Sequence, residues 1–230
     1  MLKFNRRDPF PLLRHGDKSN TDARIRAHSD QVDAFLGLQI EKVEKKLRIH
    51  GCRMEASIAH EKPQELWIGL AAKRFLTPYS EIRTILSLLD PKQGCSIVDL
   101  GSAYGRMGFV IAKHYPKVKF IGYEYVGERV KESRKCLKLL RHPLIKIKHA
   151  DLSSMEFQPV VADYYFIYDY GTEEAIKKTL VDLKKIARER PITVVARGRE
   201  SRDAIEEHHP WLNKRKTPKR HIHFSIYRSI

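Results

Sequence analysis

Acidic residues are scarce beside basic ones: 28 Asp and Glu face 44 Lys and Arg in 230 residues, a formal net charge of +16. That surplus excludes a strongly acidic partner-binding protein. It favours contact with an anionic protein or nucleic-acid surface, or else a solvated basic exterior. Cysteine is equally sparse. Cys52, Cys95 and Cys136 lie far apart with no C-x-x-C pair, which argues against a disulfide framework or a zinc knuckle and for a reducing compartment. No apolar run approaches the roughly 20 residues that a membrane helix needs. The segment Met1 to Pro11 lacks the apolar core of a signal peptide, so the expectation is a cytoplasmic protein without membrane contact. Internal repeats and low-complexity segments are absent as well.

What is present is an alternation of short apolar runs and amphipathic stretches. Residues 1–22 are polar, basic and broken by Pro9, Pro11 and Gly16, and read as a flexible arm. From Ser29 to His50, Val32, Phe35, Leu36, Ile40, Val43 and Leu47 recur at helical steps up to Gly51, predicting one amphipathic helix. Such a helix covers the domain or serves as a dimer contact. Within 23–74 it forms an N-terminal helical cover, ahead of a main domain over 75–230. Ser80 is placed to cap a helix running from Glu81 to Leu89.

Strands follow at Ser96–Leu100, Lys119–Glu124, Ile145–Asp151, Ala162–Gly171 and Ile192–Gly198. Helices are predicted between them, one from Met107 to Tyr115, one from Gly127 to Leu140 with Val130, Cys136, Leu137 and Leu140 inward, and one capped by Thr172. A short helix is expected over Ser201–His209. Last, Trp211–Thr217 and His221–Arg228 read as two strands joined at Pro218. Repeated β/α units imply a mostly parallel, Rossmann-like sheet with helices on both faces and an antiparallel terminal strand.

The organising stretch is Asp99-Leu100-Gly101-Ser102-Ala103-Tyr104-Gly105, a strand end, a glycine turn and a helix start. Glycines let backbone approach a ligand, and a helix N-terminus offers unpaired N–H groups. The dinucleotide fingerprint Gly-x-Gly-x-x-Gly fails here, since Ala103 and Arg106 occupy its second and third glycine positions. Acidic-x-Gly-x-Gly-x-Gly fits with one change, Ala103 for the middle glycine. This segment resembles the first motif of class I (seven-strand) S-adenosylmethionine-dependent methyltransferases. Together with Thr77-Pro78-Tyr79, Gly122-Tyr123-Glu124 and a short C-terminal half, it is closest in pattern to the small non-SET lysine methyltransferases.

The resemblance covers roughly Phe75 to Arg228 and implies S-adenosyl-L-methionine as cofactor. It implies cofactor-binding roles for Tyr79, Asp99, Gly101, Ser102, Tyr104, Gly105, Glu124, Tyr125, Asp151 and Leu152. Asp99 suits a ligand carrying a sulfonium and an ammonium; Glu124, ending the second strand, suits ribose hydroxyls. Asp151 either receives an adenine amino group or caps the Ser153-Ser154 turn; Tyr79 either closes over cofactor or belongs to the core. Asp169 and Tyr170, ending the fourth strand, are the candidate catalytic pair beside the acceptor.

No Asn/Asp-Pro-Pro-aromatic turn follows that strand, which argues against the amino-adenine enzymes. The acceptor expected is a protein or nucleic acid with an acidic surface, a protein lysine by resemblance; an RNA-modifying or RNA-binding reading competes through the net charge. The loop Lys214–Arg220 either holds phosphates or is solvated. His208, His209, His221 and His223 lack acidic or cysteine partners at ligand spacing, so no metal is expected. An NAD oxidoreductase and a scaffold without activity are the remaining rivals.

Overall fold

Side chains alternate between the two faces of each strand, and here each face has its own apolar cover. The computed structural model describes residues 2–13, 20–50, 66–214 and 216–229. The elements begin with α1 (Asp22–Phe35), α2 (Ile40–His50), α3 (Ala72–Phe75) and α4 (Tyr79–Leu89). The β/α units follow as β1 (Ser96–Leu100), α5 (Arg106–His114), β2 (Lys119–Glu124), α6 (Gly127–Lys138) and β3 (Ile145–His149). Then come β4 (Tyr164–Tyr168), α7 (Glu173–Glu189), β5 (Thr193–Arg197), α8 (Arg199–His208), α9 (Pro210–Asn213), β6 (Lys219–Arg220) and β7 (Phe224–Arg228).

The strands form one seven-stranded sheet in the order β3-β2-β1-β4-β5-β7-β6. β1 to β5 pair in parallel, and β7 runs antiparallel between β5 and β6. This is the Rossmann-like sheet expected of a class I methyltransferase fold. Its order reverses between β1 and β4, so successive crossovers leave in opposite directions and open a crevice beyond the strands' carboxyl ends.

On one face Ile97, Phe120, Ile147, Phe166 and Val195 pack under α4 and α5 through Ile82, Ile85, Leu86, Phe109 and Val110. Val32 of α1, Leu38, and Ile40 of α2 join that same cluster, so the N-terminal helices lie on the domain. On the other face Val98, Leu100, Tyr165, Ile167 and Val194 meet α7, α8 and α9 through Ile176, Leu180, Leu183, Ile205 and Leu212. Each fully covered aliphatic chain of α7 contributes about 1.5–3 kcal/mol, which holds this long, heavily charged helix down.

Several sequence expectations are corrected. The predicted helix over 29–50 is two helices: the first starts at Asp22 behind the Thr21 cap and ends where the Leu36 and Gly37 amides donate to Val32 O and Ala34 O. The Gln39 amide, just before α2, is then taken by Glu132 of α6 at 2.8 Å. The stop assigned to Gly51 lies outside the described residues. The arm is seated along 2–13, with Phe10 buried 5.2 Å from the Tyr79 ring and Asp8 accepting from His114 at 3.0 Å.

Ser80 does not cap α4, which opens at Pro78, and its hydroxyl is buried without a partner. Leu140 lies beyond the end of α6 and is exposed. Within Trp211–Thr217 the chain forms the short helix α9, because Pro210 suits a first helical position; the terminal hairpin is Lys219–Arg220 with Phe224–Arg228.

Candidate active site

The glycine turn is tied to β2 before any ligand is considered. The Gly101 and Ser102 amides both donate to Tyr123 O, at 3.0 and 2.7 Å. Gly101 has φ +86°, and a Cβ there would lie 2.8 Å from Tyr170 Cβ, so the position takes no side chain. Ala103, where the related motif has glycine, carries its methyl in the left-handed region at φ +46°. Its amide donates to Glu124 Oε2 at 2.8 Å, and Gly105 then starts α5.

Two cavities meet at this turn. Gly101, Ala103, Phe75 and Tyr168 line both. The first continues past Trp67, Glu124, Tyr125, Leu152, Ser153, Tyr170 and Gly171, and its wall is dominated by rings and aliphatic groups. The second runs beneath α4, where Asp99, Ser102, Arg106 and Arg197 face Ile82, Ile85 and Phe166. Arg197 is itself fixed, bidentate to Glu81 and 4.2 Å over the Tyr168 ring.

The two carboxylates of the corner have opposite surroundings. Glu124 is buried, accepting from the Ala103 amide and, through Oε1, from the Val126 amide at 2.8 Å, with Arg129 Nη1 at 3.9 Å. Asp99 is partly buried and has no hydrogen-bond partner among the described residues. Desolvation first, and then the charge of Glu124, push its carboxyl up to about 7.

Two buried ion pairs fasten the N-terminal helices over the corner. Arg129 of α6 reaches Glu44 of α2 bidentately, at 2.8 and 3.2 Å, donates to Leu66 O, and stacks 4.7 Å over Phe75. Arg106, the first residue of α5, pairs bidentately with Asp33 of α1, donates to Thr77 O, and lies 5.0 Å over the Tyr79 ring. Each carboxylate also accepts a tyrosine hydroxyl at 2.7 Å, Glu44 from Tyr104 and Asp33 from Tyr79.

Of the residues singled out from sequence, Gly101, Glu124, Tyr125, Leu152 and Tyr170 line the first cavity and Asp99, Gly101 and Ser102 the second. Five others line neither. Tyr79 and Tyr104 are fully buried and directed at Asp33 and Glu44. Gly105 is the left-handed start of α5, packed on Ile147. Asp151 turns back to accept from the Ser153 amide and hydroxyl, the capping alternative.

Asp169, assigned to catalysis from sequence, lines neither cavity. Its Oδ1 accepts from the Ser201 amide and hydroxyl at 2.8 and 2.7 Å, capping α8, and the carboxylate rests where a Gly198 side chain would be. Tyr170 keeps its ring at the first cavity, but its hydroxyl donates to Thr179 and desolvation raises it well above the ordinary phenol range.

Sequence reasoning missed Asp33, Glu44, Trp67, Phe75, Arg106 and Arg129. A signal existed for two of them. Glu44 sits four residues after Ile40 and three before Leu47, on the apolar stripe of its helix, and Arg129 is likewise in line with Ser133 and Cys136. A charge on a covered stripe announces a buried partner, though not which one. Trp67 has no such signal; its indole donates to Asp169 O at 2.9 Å across the mouth of the first cavity. Among the described residues there is no group of three or more His, Cys, Asp or Glu placed to hold a metal.

No family model and no curated relative matches the chain. Among solved structures, an RNA methyltransferase from Salinibacter ruber in complex with S-adenosyl-L-homocysteine is similar, at TM-score 0.49 and 22% identity over 67% of this chain and 92% of that one. Precorrin-6y C5,15-methyltransferase from Geobacter metallireducens GS-15 gives 0.49 and 17% over 70% and 92%. A SAM-dependent methyltransferase from Aquifex aeolicus gives 0.48 and 13% over 82% and 96%. Likeness at these scores decides neither ligand nor acceptor for this chain.

Proposed function

We propose that this protein is an S-adenosylmethionine-dependent methyltransferase acting on an amine, a protein lysine foremost. The observation that carries this reading is a pair of cavities meeting at the glycine turn. One is lined by Trp67, Phe75, Tyr125, Leu152 and Tyr170 together with Glu124 and Arg129; the other holds Asp99 and Ser102 among Ile82, Ile85 and Phe166. S-adenosylmethionine is likewise two-ended, a nucleoside at one end and an amino-acid zwitterion at the other.

The residues present fit that group. Asp99 has no partner among the described residues, and the Ser102 hydroxyl is buried without one. Buried polar groups left so are explained by a ligand that completes them. Glu124 and Tyr125 would hold the ribose, Leu152 and Ser153 the base, Asp99 the ammonium, and Ser102 the carboxylate. When bound, the cofactor supplies an electrophilic methyl group on a sulfonium with a neutral thioether as leaving group.

The protein's share is to exclude water, align the nucleophile and admit it unprotonated. Trp67, Phe75 and Tyr168 form an aromatic mouth beside Gly171. Two of the carboxylates nearest that mouth are engaged, Asp169 capping α8 and Glu124 holding the turn. A hydroxyl or amide acceptor would need a base there; an amine loses its proton on entry, since a dry aromatic channel lowers its pKa from about 10.4. An RNA acceptor is the second reading, supported by the +16 charge.

The test adds methyl-labelled cofactor and cell lysate to the purified protein, then digests with protease or nuclease. Label released by protease and recovered as methyl-lysine is the expected result. Label released by nuclease moves the acceptor to RNA, and absence of both label and cofactor binding overturns the enzyme reading.

A further inference from the structure

At the opposite end of the sheet lies a second concave site that methyl transfer does not use. It is lined by Lys184 and Arg188 of α7, Pro210, Trp211 and Lys214 at α9, and Ser229. Ser229 directly follows Arg228, which pairs with Thr193 at the start of β5, so the site sits at the strands' amino ends, away from the cleft.

Among the described residues its charge is uncompensated. Lys184, Arg188 and Lys214 have no acidic partner among the described residues, and the nearby acid Asp182 is already taken by Lys178 and Lys185. Lys184 and Arg188 form a like-charged i,i+4 pair, which opposes helix formation unless an anion lies between them. The field is felt next door: burial, and after it the charges of His208, Lys184 and Lys177, hold His209 down at about 4. Amid these cations stands a partly exposed tryptophan, its indole N–H donating to His209 Nδ1 at 3.2 Å, so the ring is oriented and only partly covered.

An oriented indole beside three cations that have no acidic partner among the described residues is the pairing that binds single strands, bases on the ring and phosphates on the charges. We infer that this pocket is a docking site for single-stranded nucleic acid, RNA in a reducing cell interior, with one base on Trp211 and adjacent phosphates on Lys184, Arg188 and Lys214. The inference holds whichever atom receives the methyl group. A duplex fits it poorly, because its bases are not free to stack, and an acidic peptide would use the cations but not the ring.

The chain has two tryptophans, and Trp67 is in the distant cleft, so the part of the emission change lost on replacing Trp211 reads this site. A short mixed-sequence RNA strand, titrated into the full chain, is expected to quench the indole emission and to bind more weakly as salt rises. Trp211→Phe should abolish that quench and weaken binding about tenfold, the scale of one lost base stack. The triple variant Lys184→Ala/Arg188→Ala/Lys214→Ala should weaken it by about tenfold or more and lower the log–log salt slope by about 2. Lys146→Ala/Lys148→Ala, on the basic edge strand β3, should bind as the parent does.

Three results overturn the inference: affinity unchanged in both pocket variants, loss confined to the β3 variant, or equal binding of duplex and single strand with no Trp211 quench. Poly-glutamate displacing the RNA while itself quenching Trp211 equally would also overturn it, in favour of an acidic protein partner.

Discussion

Asp99 and Glu124 stand on adjacent strands at either side of one glycine turn, yet they do different work. Glu124 accepts two backbone amides and lies near a buried arginine, so its carboxylate is part of the scaffold. Asp99 has no hydrogen-bond partner among the described residues under α4, and burial with the charge of Glu124 pushes its carboxyl up to about 7. The difference teaches where to look for a ligand. A satisfied carboxylate shapes the turn, while an unsatisfied one marks a place the ligand must complete.

The largest effects should come from the scaffold side. Arg129→Met would leave Glu44 charged, buried and stripped of its partner, and about 3–5 kcal/mol of stability should disappear in chemical denaturation. The double replacement Glu44→Leu/Arg129→Met should recover most of that loss. Failure to recover would mean that the pair does more than neutralise itself.

Glu124→Ala comes next. It orphans the Ala103 and Val126 amides at about 1–3 kcal/mol each, so the melting temperature should fall together with cofactor affinity. The carboxylate is a ligand of the backbone first, so the fold is expected to weaken along with any binding.

What was legible in the chain follows from such local and long-range terms. The five parallel strands show themselves because short apolar runs are a local property, and Thr172 shows the start of α7 for the same reason, whereas Trp211–Thr217, read as a strand, begins in α9. The destinations of Tyr79 and Tyr104 are hidden, because their partners Asp33 and Glu44 lie on helices 46 and 60 residues away. Position at a strand end tells that a side chain reaches the rim. It does not tell that Ser201 will claim Asp169.

Asp99→Asn should act in the opposite sense from Glu124→Ala. The folded pKa of Asp99 is raised from 3.8 to about 7, so the native state holds the extra proton and stability falls as pH rises between those values. The amide removes that penalty: the variant should equal the parent in stability at low pH and exceed it above pH about 7, as thermal melts across pH would show. The smallest effect belongs to Ala103→Gly. Relief of a left-handed alanine is offset by the entropy of glycine, leaving a change in stability of at most about 1 kcal/mol, with the two cavities joined more widely.

Calorimetric titration of S-adenosylmethionine into the parent and the Asp99→Asn variant, repeated across pH about 6 to 8, tests the division between the two carboxylates most directly. An ammonium-bearing ligand needs Asp99 ionised, so parent affinity should rise through pH about 7 with proton release on binding, and the variant should bind more weakly with a flat profile. Tight binding to both proteins with the same pH dependence would contradict the account, as would a folded parent that does not bind at all.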